Sequence, residues 1–216
     1  MPTRILIVDD HPVMRRGLVY ALEDEPDLEV VGQTADAESA VARLDELAPD
    51  LAVVDISLPG MNGLELVKQF AHLRPGLLVL IVSRHDEALY AERALRAGAR
   101  GYVSKLNAID EIVRAVRRVL DGGIYLSEAL KDHLLLRAAT GASGPASFFE
   151  SLSDRELEVF EMTGRGLPTR EIADRLHLSM KTVESYRTRI KGKLGYGSGT
   201  ELIKHAIRWV EGEGAT

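Results

Sequence analysis

Short apolar runs alternate with segments of helical spacing over the first 121 residues of the chain. The runs predict five β-strands, at Arg4–Val8, Leu28–Gln33, Leu51–Asp55, Leu77–Val82 and Gly101–Ser104. Between the runs, apolar residues recur every three or four positions, as they do along 109–120, which predicts helices with one buried face. Strands that alternate with helices indicate a parallel sheet with right-handed crossovers. The run Leu77–Val82 is apolar throughout, which is typical of a central strand covered on both faces, so the pattern predicts an α/β sandwich.

The pattern changes in the second half of the chain. The segment 123–150 contains one predicted short helix, Ser127–Arg137, and then a small, turn-rich stretch that we interpret as a linker. Residues 151–216 have no strand pattern but four helical stretches, and the first opens on the capping box Ser153–Glu156. We therefore predict two domains, an α/β domain at 1–122 and a small all-α domain at 151–216, joined by the linker.

Composition and charge narrow the class of protein. The chain has no cysteine, which excludes disulfides and thiolate metal sites, and no apolar run approaches the roughly 18 residues that a membrane span needs. We expect a cytoplasmic protein that is not bound to a membrane. The net charge is −6, yet residues 180–194 carry five Lys and Arg side chains against one acidic residue. Such a basic stretch predicts an anionic partner, although a solvated helix face would give the same count.

Polar side chains follow four of the predicted strands at the point where each strand ends. They are Asp9 and Asp10 after the first strand, Asp55 at the end of the third, Ser83 after the fourth and Lys105 after the fifth, which runs through Tyr102. Taken singly, each of them could be a helix cap or a turn residue. The carboxyl ends of parallel strands meet at one edge of a sheet, however, so we expect one pocket.

The chemistry of that pocket follows from its charges. Three carboxylates repel one another, so a hard divalent cation such as Mg²⁺ is expected among them, while Lys105 offsets part of the remaining charge. A carboxylate beside Mg²⁺ and an ammonium can attack phosphorus and form an aspartyl phosphate. The ammonium and the Ser83 hydroxyl would then stabilise the phosphoryl oxygens. The predicted nucleophile is Asp55.

Residues 1–121 resemble the receiver domain of two-component response regulators. The motifs that carry the resemblance are VDDH at 8–11, DISLPGMNG at 55–63, VS at 82–83 and GARGYVSK at 98–105. The resemblance implies a flavodoxin-like (CheY-like), doubly wound sheet and an Asp55 that accepts a phosphoryl group from a sensor histidine kinase. The implied Mg²⁺ ligands are Asp9, Asp10, Asp55 and the backbone carbonyl of Ser57. The implied switch pair is Ser83 and Tyr102, with Tyr102 turning inward when phosphate draws Ser83.

Turnover of an external substrate is not expected, so we predict that the chain is not an enzyme. Phosphohydrolases with an aspartate nucleophile resemble D-x-D, with the second aspartate as general acid, and this chain has Ser57 there. In receivers, Ser57 and His85 would tune how long the phosphate lasts. His85 could equally be an exposed residue at the start of a helix.

Residues 168–194 have the pattern of two helices joined by a tight turn. Apolar positions give each helix one inward face, and Ser179 is a good N-cap for the second helix, whose outer face is basic. This pattern predicts a helix-turn-helix whose second helix enters the major groove of DNA. An ordinary helical hairpin would have the same spacing, and the pattern alone leaves both interpretations open.

The longer run LSDRELEVF followed by REIADRLHLSMKTVESYRTRIKGKLG resembles the LuxR-type DNA-binding domain, and the whole chain resembles a NarL/FixJ-type response regulator. The resemblance implies base-edge contacts from Glu184, Ser185 and Thr188, and phosphate contacts from Lys181, Thr182, Arg187 and Lys193. Glu184 could accept a hydrogen bond from a cytosine amino group or instead orient Lys181 or Arg187. Thr169 is expected to cap the first helix of the pair, where the family usually has a Ser-Asn start.

These features predict a transcription regulator whose sequence-specific DNA binding is switched by Mg²⁺-dependent phosphorylation. The resemblance implies a homodimer in the phosphorylated state, with the last helix, Ser198–Val210, pairing two DNA-binding domains. The alternative is a phosphorylation-independent DNA-binding regulator whose receiver serves as a dimerisation module.

Overall fold

The five apolar runs form one parallel sheet in the computed structural model, which describes residues 1–107, 109–140, 149 and 151–211. The strands are β1 (Thr3–Val8), β2 (Leu28–Thr34), β3 (Leu51–Val54), β4 (Leu78–Ser83) and β5 (Gly101–Ser104). Their order is β2-β1-β3-β4-β5, and every neighbouring pair is parallel. This order is that of the flavodoxin-like doubly wound sheet, so the predicted fold class is confirmed.

Helices cover both faces of this sheet. They are α1 (Pro12–Glu23), α2 (Ala37–Ala42), α3 (Leu44–Leu47), α4 (Gly63–Leu73), α5 (Glu87–Ala97), α6 (Ile109–Leu120) and α7 (Glu128–Thr140). Apolar side chains of α1 and α6 pack with one set of alternating strand residues, among them Ile5, Val53 and Leu80. The intervening residues, such as Leu6 and Ala52, are also fully buried. Both faces of the strands are therefore core, as the apolar runs predicted.

Two predicted helix boundaries, an N-cap and a terminating glycine, are confirmed. Asp36 caps α2 by accepting a hydrogen bond from the Ser39 N–H at 2.7 Å, and Gly98 ends α5 with φ of +115°. The predicted cap Asn107 borders residue 108, which lies outside the described residues, so this prediction stays open. The helix predicted at Ser127–Arg137 is α7, which runs to Thr140 and thus into the stretch predicted as linker. The remainder of that stretch, 141–148, is also outside the described residues.

The chain divides into two units, Met1–Thr140 and Gly141–Thr216. The second unit contains four helices in the described residues, as predicted: α8 (Asp154–Gly164), α9 (Thr169–Arg175), α10 (Met180–Leu194) and α11 (Gly199–Val210). The capping box at Ser153 and Glu156 is present, with both reciprocal hydrogen bonds. Phe149 packs between Phe160 and Trp209, with ring centroids 4.9 and 4.5 Å away. Among the described helices, none is both long and apolar enough to cross a membrane.

One predicted cap of the second unit is wrong. Thr169 was expected to cap α9, but the N-cap is Pro168, which offers no side-chain acceptor, and Thr169 is the first helical residue. The Thr169 hydroxyl instead donates to Glu184 on α10, 2.7 Å away. A partner on the neighbouring helix therefore replaces the local backbone partner.

Candidate functional site

Three aspartates converge where β1 and β3 end side by side. Asp9 and Asp10 follow β1 directly, Asp55 follows β3, and Val8 is the register partner of Val54. Asp9 and Asp55 are buried, while Asp10 is half-buried. The main-chain N–H of Asp55 donates to the Val8 carbonyl at 2.8 Å, which locks the two strand ends together. The register of the sheet thus brings the three carboxylates into one pocket.

Lys105 enters the same pocket from the end of β5. Its ammonium lies 2.7 Å from Asp9 Oδ2 and 2.7 Å from Asp55 Oδ2. The main-chain N–H of Lys105 donates to the Ser83 carbonyl at 2.8 Å, so the lysine is held at the end of β4 as well. All three charged side chains are buried. One ammonium is shared by two carboxylates, so the buried group keeps a net negative charge.

The second oxygen of Asp55 is the chemically open atom of the pocket. Asp55 Oδ1 is buried and has no hydrogen-bond partner in the described structure, and the same holds for Asp10 Oδ1. His11 Nδ1 lies 2.5 Å from Asp10 Oδ1, but the contact lacks hydrogen-bond geometry and is ionic only when the imidazole is protonated. Burial raises the pKa of Asp55, more than the neighbouring Lys105 ammonium lowers it.

The donor set fits a hard divalent cation. One ligand atom each from Asp9, Asp10, His11 and Asp55 lies within 4.8 Å of all the others. Two of the carboxylate oxygens lack partners, which is what a coordinated cation would supply, and Mg²⁺ prefers carboxylate oxygens. The fourth predicted ligand, the Ser57 carbonyl, makes no described contact that tests its role.

Two neighbours of Asp9 were missed by sequence reasoning. The His11 main-chain N–H donates to Asp9 Oδ1 at 2.8 Å, and the Arg15 guanidinium on α1 donates to the Asp9 carbonyl. These contacts orient the carboxylate and the backbone of Asp9. The only signal in the sequence is that both residues follow the aspartate pair closely, which does not by itself distinguish a role.

His85 connects the remaining residues of the site. Its ring Nε2 lies 2.8 Å from Ser57 Oγ. Its main-chain N–H donates to Ser83 Oγ at 3.3 Å, and its main-chain carbonyl accepts from the Tyr102 hydroxyl at 2.8 Å. Its ring stacks on Tyr90 with centroids 4.4 Å apart. His85 is only 8% exposed, so its interpretation as an exposed residue at a helix start is wrong.

The position of Tyr102 also corrects an expectation. The ring was expected to turn inward in response to phosphate, but it is already fully buried, with its hydroxyl on the His85 carbonyl. The ring thus already has the buried position that was expected only after phosphorylation. A response to phosphate would have to act on the His85 segment rather than on the burial of this ring.

In the second unit, α10 has the features predicted for a helix that reads DNA. Ser179 caps it by accepting from the Thr182 N–H at 3.0 Å. Val183 and Ile190 are buried, whereas Tyr186 and Leu194 are half-buried. The outer face leaves the predicted contact residues Lys181, Glu184, Ser185, Thr188 and Lys193 exposed. The described geometry thus contains a short helix, α9, joined at 176–179 to the longer α10, which has a polar outer face.

Comparison with known families decides between an ordinary helical hairpin and a DNA-binding element. Residues 5–117 match the response regulator receiver domain, and residues 150–206 match the bacterial regulatory proteins of the luxR family. The chain belongs to the LuxR-type response regulators. The two matches confirm the predicted family. Members of this class are transcription regulators of two-component systems rather than conventional enzymes.

Several relatives of this response regulator match along almost their whole length. The transcriptional activator protein ExaE of Pseudomonas putida is 39% identical over 203 residues, which are 94% of this chain and 95% of ExaE. The response regulator GacA of Pseudomonas aeruginosa is 35% identical, covering 95% of each chain. RcsB of Salmonella enterica serovar Typhimurium, solved on promoter rprA with phosphomimetic BeF3-, is 25% identical with a TM-score of 0.64. That match covers 94% of this chain and 98% of RcsB.

In the response regulator, Glu184 makes the local salt bridge that was one of its two predicted roles. Arg187 Nη1 lies 3.2 Å from Glu184 Oε1 and 2.7 Å from Thr169 Oγ1, while Nε donates to Thr163 Oγ1 at 3.3 Å. Arg187 is thereby tied to α8 and α9 and is only 17% exposed. Glu184 orients Arg187 rather than Lys181 in this structure, and the cytosine contact is left untested.

Lys193, a predicted phosphate contact, is also paired within the unit. Its ammonium lies 2.6 Å from Glu156 Oε2, the same oxygen that accepts from the Ser153 N–H at 2.7 Å. Burial alone would raise the pKa of Glu156, but these two donors lower it. Glu156 therefore joins the start of α8 to the end of α10, and Lys193, which is 40% exposed, is oriented by this pair.

Replacing Glu156 by glutamine is expected to lower the free energy of unfolding by about 1 kcal/mol at neutral pH and by less in acid. The loss is modest because Lys193 is 40% exposed and its charge is partly screened. A carboxylate with a lowered pKa stabilises the fold above its usual pKa, and this contribution is lost as the pH falls through the lowered value. Denaturant unfolding of the full chain from neutral to acid pH would measure how the stability difference between the wild type and the Glu156→Gln variant decreases. The control is Glu128→Gln, whose side chain is 85% exposed. A difference that is constant across pH would contradict the assignment.

Proposed function

We propose that a sensor histidine kinase phosphorylates Asp55 in a Mg²⁺-dependent reaction, and that this switches sequence-specific DNA binding by residues 151–216. Residues 1–122 would be the phosphoacceptor domain and residues 123–150 the connection. The family membership supports both halves of this function. The observation that carries the proposal is the partnerless Asp55 Oδ1, held in a pocket with Asp9, Asp10 and the Lys105 ammonium.

The arrangement suits nucleophilic attack by Asp55. A carboxylate oxygen of Asp55 would form the new O–P bond, while the bond from phosphorus to the donor breaks and its electron pair leaves with the donor. Lys105 keeps Oδ2 engaged and balances the charge that gathers on the phosphoryl oxygens. The Ser83 hydroxyl would donate to one of those oxygens. Asp9, Asp10, Asp55 and the Ser57 carbonyl would hold Mg²⁺, which supplies further positive charge at the phosphoryl group.

The DNA-binding half of the proposal rests on α10. Glu184, Ser185 and Thr188 would face base edges, with Lys181, Thr182, Arg187 and Lys193 holding phosphates. RcsB was solved on promoter DNA, which supports the same docking for this chain. Phosphorylation is proposed to favour a homodimer, and the two-fold axis would then match paired half-sites in DNA. We also propose that the protein acts in the cytoplasm, since this function requires access to DNA.

The competing function is phosphorylation-independent DNA binding with a receiver that only dimerises. The complete acidic pocket favours the switch, because a module used only for dimerisation has no need of a buried ammonium shared by two carboxylates. Keeping such charges buried costs free energy that a dimerisation surface would not require.

The proposal is tested by the intact mass of the full chain after incubation with acetyl phosphate and Mg²⁺. The expected result is one added phosphoryl group on the wild type, none on Asp55→Ala and none when Mg²⁺ is removed with a chelator. DNA sequences would then be selected from a random pool by the unmodified and by the phosphorylated chain. Comparing the binding of the selected sequences would show whether the phosphorylated chain binds a defined sequence more tightly. A wild type that gains no mass from small donors or from histidine kinases would favour the competing function.

A further inference from the structure

The chain that leaves α6 returns to the edge of the sheet. The Tyr125 N–H donates to the Arg100 carbonyl at 3.0 Å, and the Tyr102 N–H donates to the Tyr125 carbonyl at 2.9 Å. Tyr125 thus forms a parallel bridge with Gly101 on β5, the last strand in the sheet order. We call residues 123–127 the strap. It occupies backbone groups that an edge strand would otherwise leave open.

The sequence is adapted to this close approach. A Cβ at Gly101 would lie 2.9 Å from the Tyr125 carbonyl oxygen, so a larger residue there would push the strap away. The Tyr125 hydroxyl donates to Glu111 on α6 at 3.1 Å. Leu126 and Leu130 are buried, at 5% and 6% exposed. The strap is therefore packed onto the receiver, although it belongs to the segment 123–150 that was predicted to join the two domains.

The strap is also attached to α5 through one side chain. The Ser127 N–H donates to Glu87 Oε1 at 2.9 Å, and Ser127 Oγ accepts from the Leu130 N–H at 3.2 Å. Ser127 therefore caps α7 while its own backbone is held by Glu87. Both residues are half-buried, where a hydrogen bond to a carboxylate is stronger than one exposed to water.

Glu87 lies close to the candidate acceptor site along the chain. Asp86 alone separates it from His85, whose backbone and ring contact Ser57, Ser83 and Tyr102. The second attachment, at Tyr125, is to the main chain of Tyr102 itself. The strap that leads into α7 is thus held at two points, one on the main chain of Tyr102 and one on a residue two positions from His85.

We infer that Glu87 and the strap couple the state of the acceptor site to α7, the helix that precedes the DNA-binding unit in the chain. The inference rests on the proposed phosphorylation of Asp55. A phosphoryl group that draws the Ser83 hydroxyl changes the acceptor of the His85 N–H, which shifts the start of α5 and with it Glu87. The Ser127 hydrogen bond then weakens, so phosphorylation shifts α7 from a held towards a released population. Glu87 is a positioning residue in this device.

The experiment is residue-resolved amide hydrogen exchange on the full chain with Mg²⁺, before and after reaction with acetyl phosphate. In the wild type, phosphorylation is expected to speed exchange of the Ser127 N–H about fivefold, as loss of its one hydrogen bond to Glu87 implies. Glu87→Ala removes the acceptor of the Ser127 N–H, so exchange at Ser127 is fast in both states. The ratio of the exchange rates with and without phosphorylation then falls to about one. Glu87→Gln keeps an acceptor oxygen and is expected to retain most of the ratio.

The control is Glu46→Ala, which removes the same charge from an exposed side chain on α3, outside the strap and α7, and is expected to behave as wild type. Intact mass measured on each sample separates the two proposals. A full mass increase with no change at Ser127 in the wild type, or with a wild-type ratio in Glu87→Ala, overturns the coupling and leaves the phosphoacceptor function standing. Absence of the mass increase overturns the phosphoacceptor function, and the coupling with it.

Discussion

Replacing Lys105 by methionine is expected to lower the rate of phosphoryl transfer from acetyl phosphate to Asp55 by about 100- to 1000-fold. The reason is that the Lys105 ammonium lies 2.7 Å from Asp55 Oδ2 and is the one cation described within hydrogen-bond reach of that carboxylate. Removing one preorganised donor from a transition state that gathers negative charge typically costs a factor of this size. The rate is measured by intact mass against time at saturating Mg²⁺.

The same variant is expected to unfold more easily when Mg²⁺ is absent, by about 3 kcal/mol. Removing the ammonium leaves two buried carboxylates, Asp9 and Asp55, without their shared partner, and breaking a buried pair in this way is costly. Mg²⁺ is expected to restore part of the loss by binding the folded state. Lys68→Met, at an exposed position on α4, is the matched control and is expected to change neither quantity measurably. A Lys105→Met variant that reacts at the wild-type rate would contradict the assignment.

The convergence of the acidic pocket could be predicted because it follows from backbone register. Asp9, Asp55 and Lys105 each follow a strand directly, and parallel strands in register bring such positions to one edge. The apolar runs determined which strands were central. No side-chain contact had to be known in advance, and the family resemblance then supplied the roles.

The features that the sequence left open or hid depend on contacts between distant parts of the chain. The two interpretations of His85 could not be separated because Ser57 and Tyr102, which bury it together with Tyr90, lie 28 and 17 residues away in the sequence. The Thr169 hydroxyl donates to Glu184, which lies 15 residues away, and does not cap its own helix. Local patterns reveal caps whose partner lies within one turn, as at Asp36, and fail where the partner is tertiary.

The pairing of the strap could not be predicted for the same reason. Gly122-Gly123 ends the preceding helical pattern, and the short run Ile124–Leu126 that follows is too brief to show the alternation that marks a strand. Its pairing partner is the free edge of β5, and whether that edge is open depends on the order of strands in the whole sheet. A single bridge at Tyr125 is enough to satisfy these backbone groups. The boundary between receiver and linker is therefore a property of the sheet rather than of local composition.

Replacing Gly63 by alanine is expected to lower the free energy of unfolding by about 3 kcal/mol and to slow phosphorylation of Asp55. Gly63 begins α4, and its N–H donates to the Ile56 carbonyl at 2.8 Å. An added Cβ would lie 1.9 Å from the carbonyl oxygen of Asp55 and 2.9 Å from Ile56 Cα. These are backbone atoms that cannot rotate away, so the acceptor segment itself must shift, which costs more than ordinary overpacking of a core.

The matched control is Gly17→Ala on α1, where the nearest atom to the new Cβ is Ile109 Cδ1 at 3.4 Å. The same methyl group there is expected to stabilise the receiver by up to about 1 kcal/mol, because alanine favours a helix interior over glycine. Denaturant unfolding measures both changes, and intact mass against time measures the reaction at Asp55. A Gly63→Ala chain as stable and as reactive as wild type would mean that the acceptor segment can move freely. The tight hydrogen bonds that join Asp55 to β1 and Gly63 to Ile56 argue against such freedom, since they leave the backbone around the acceptor no room to move.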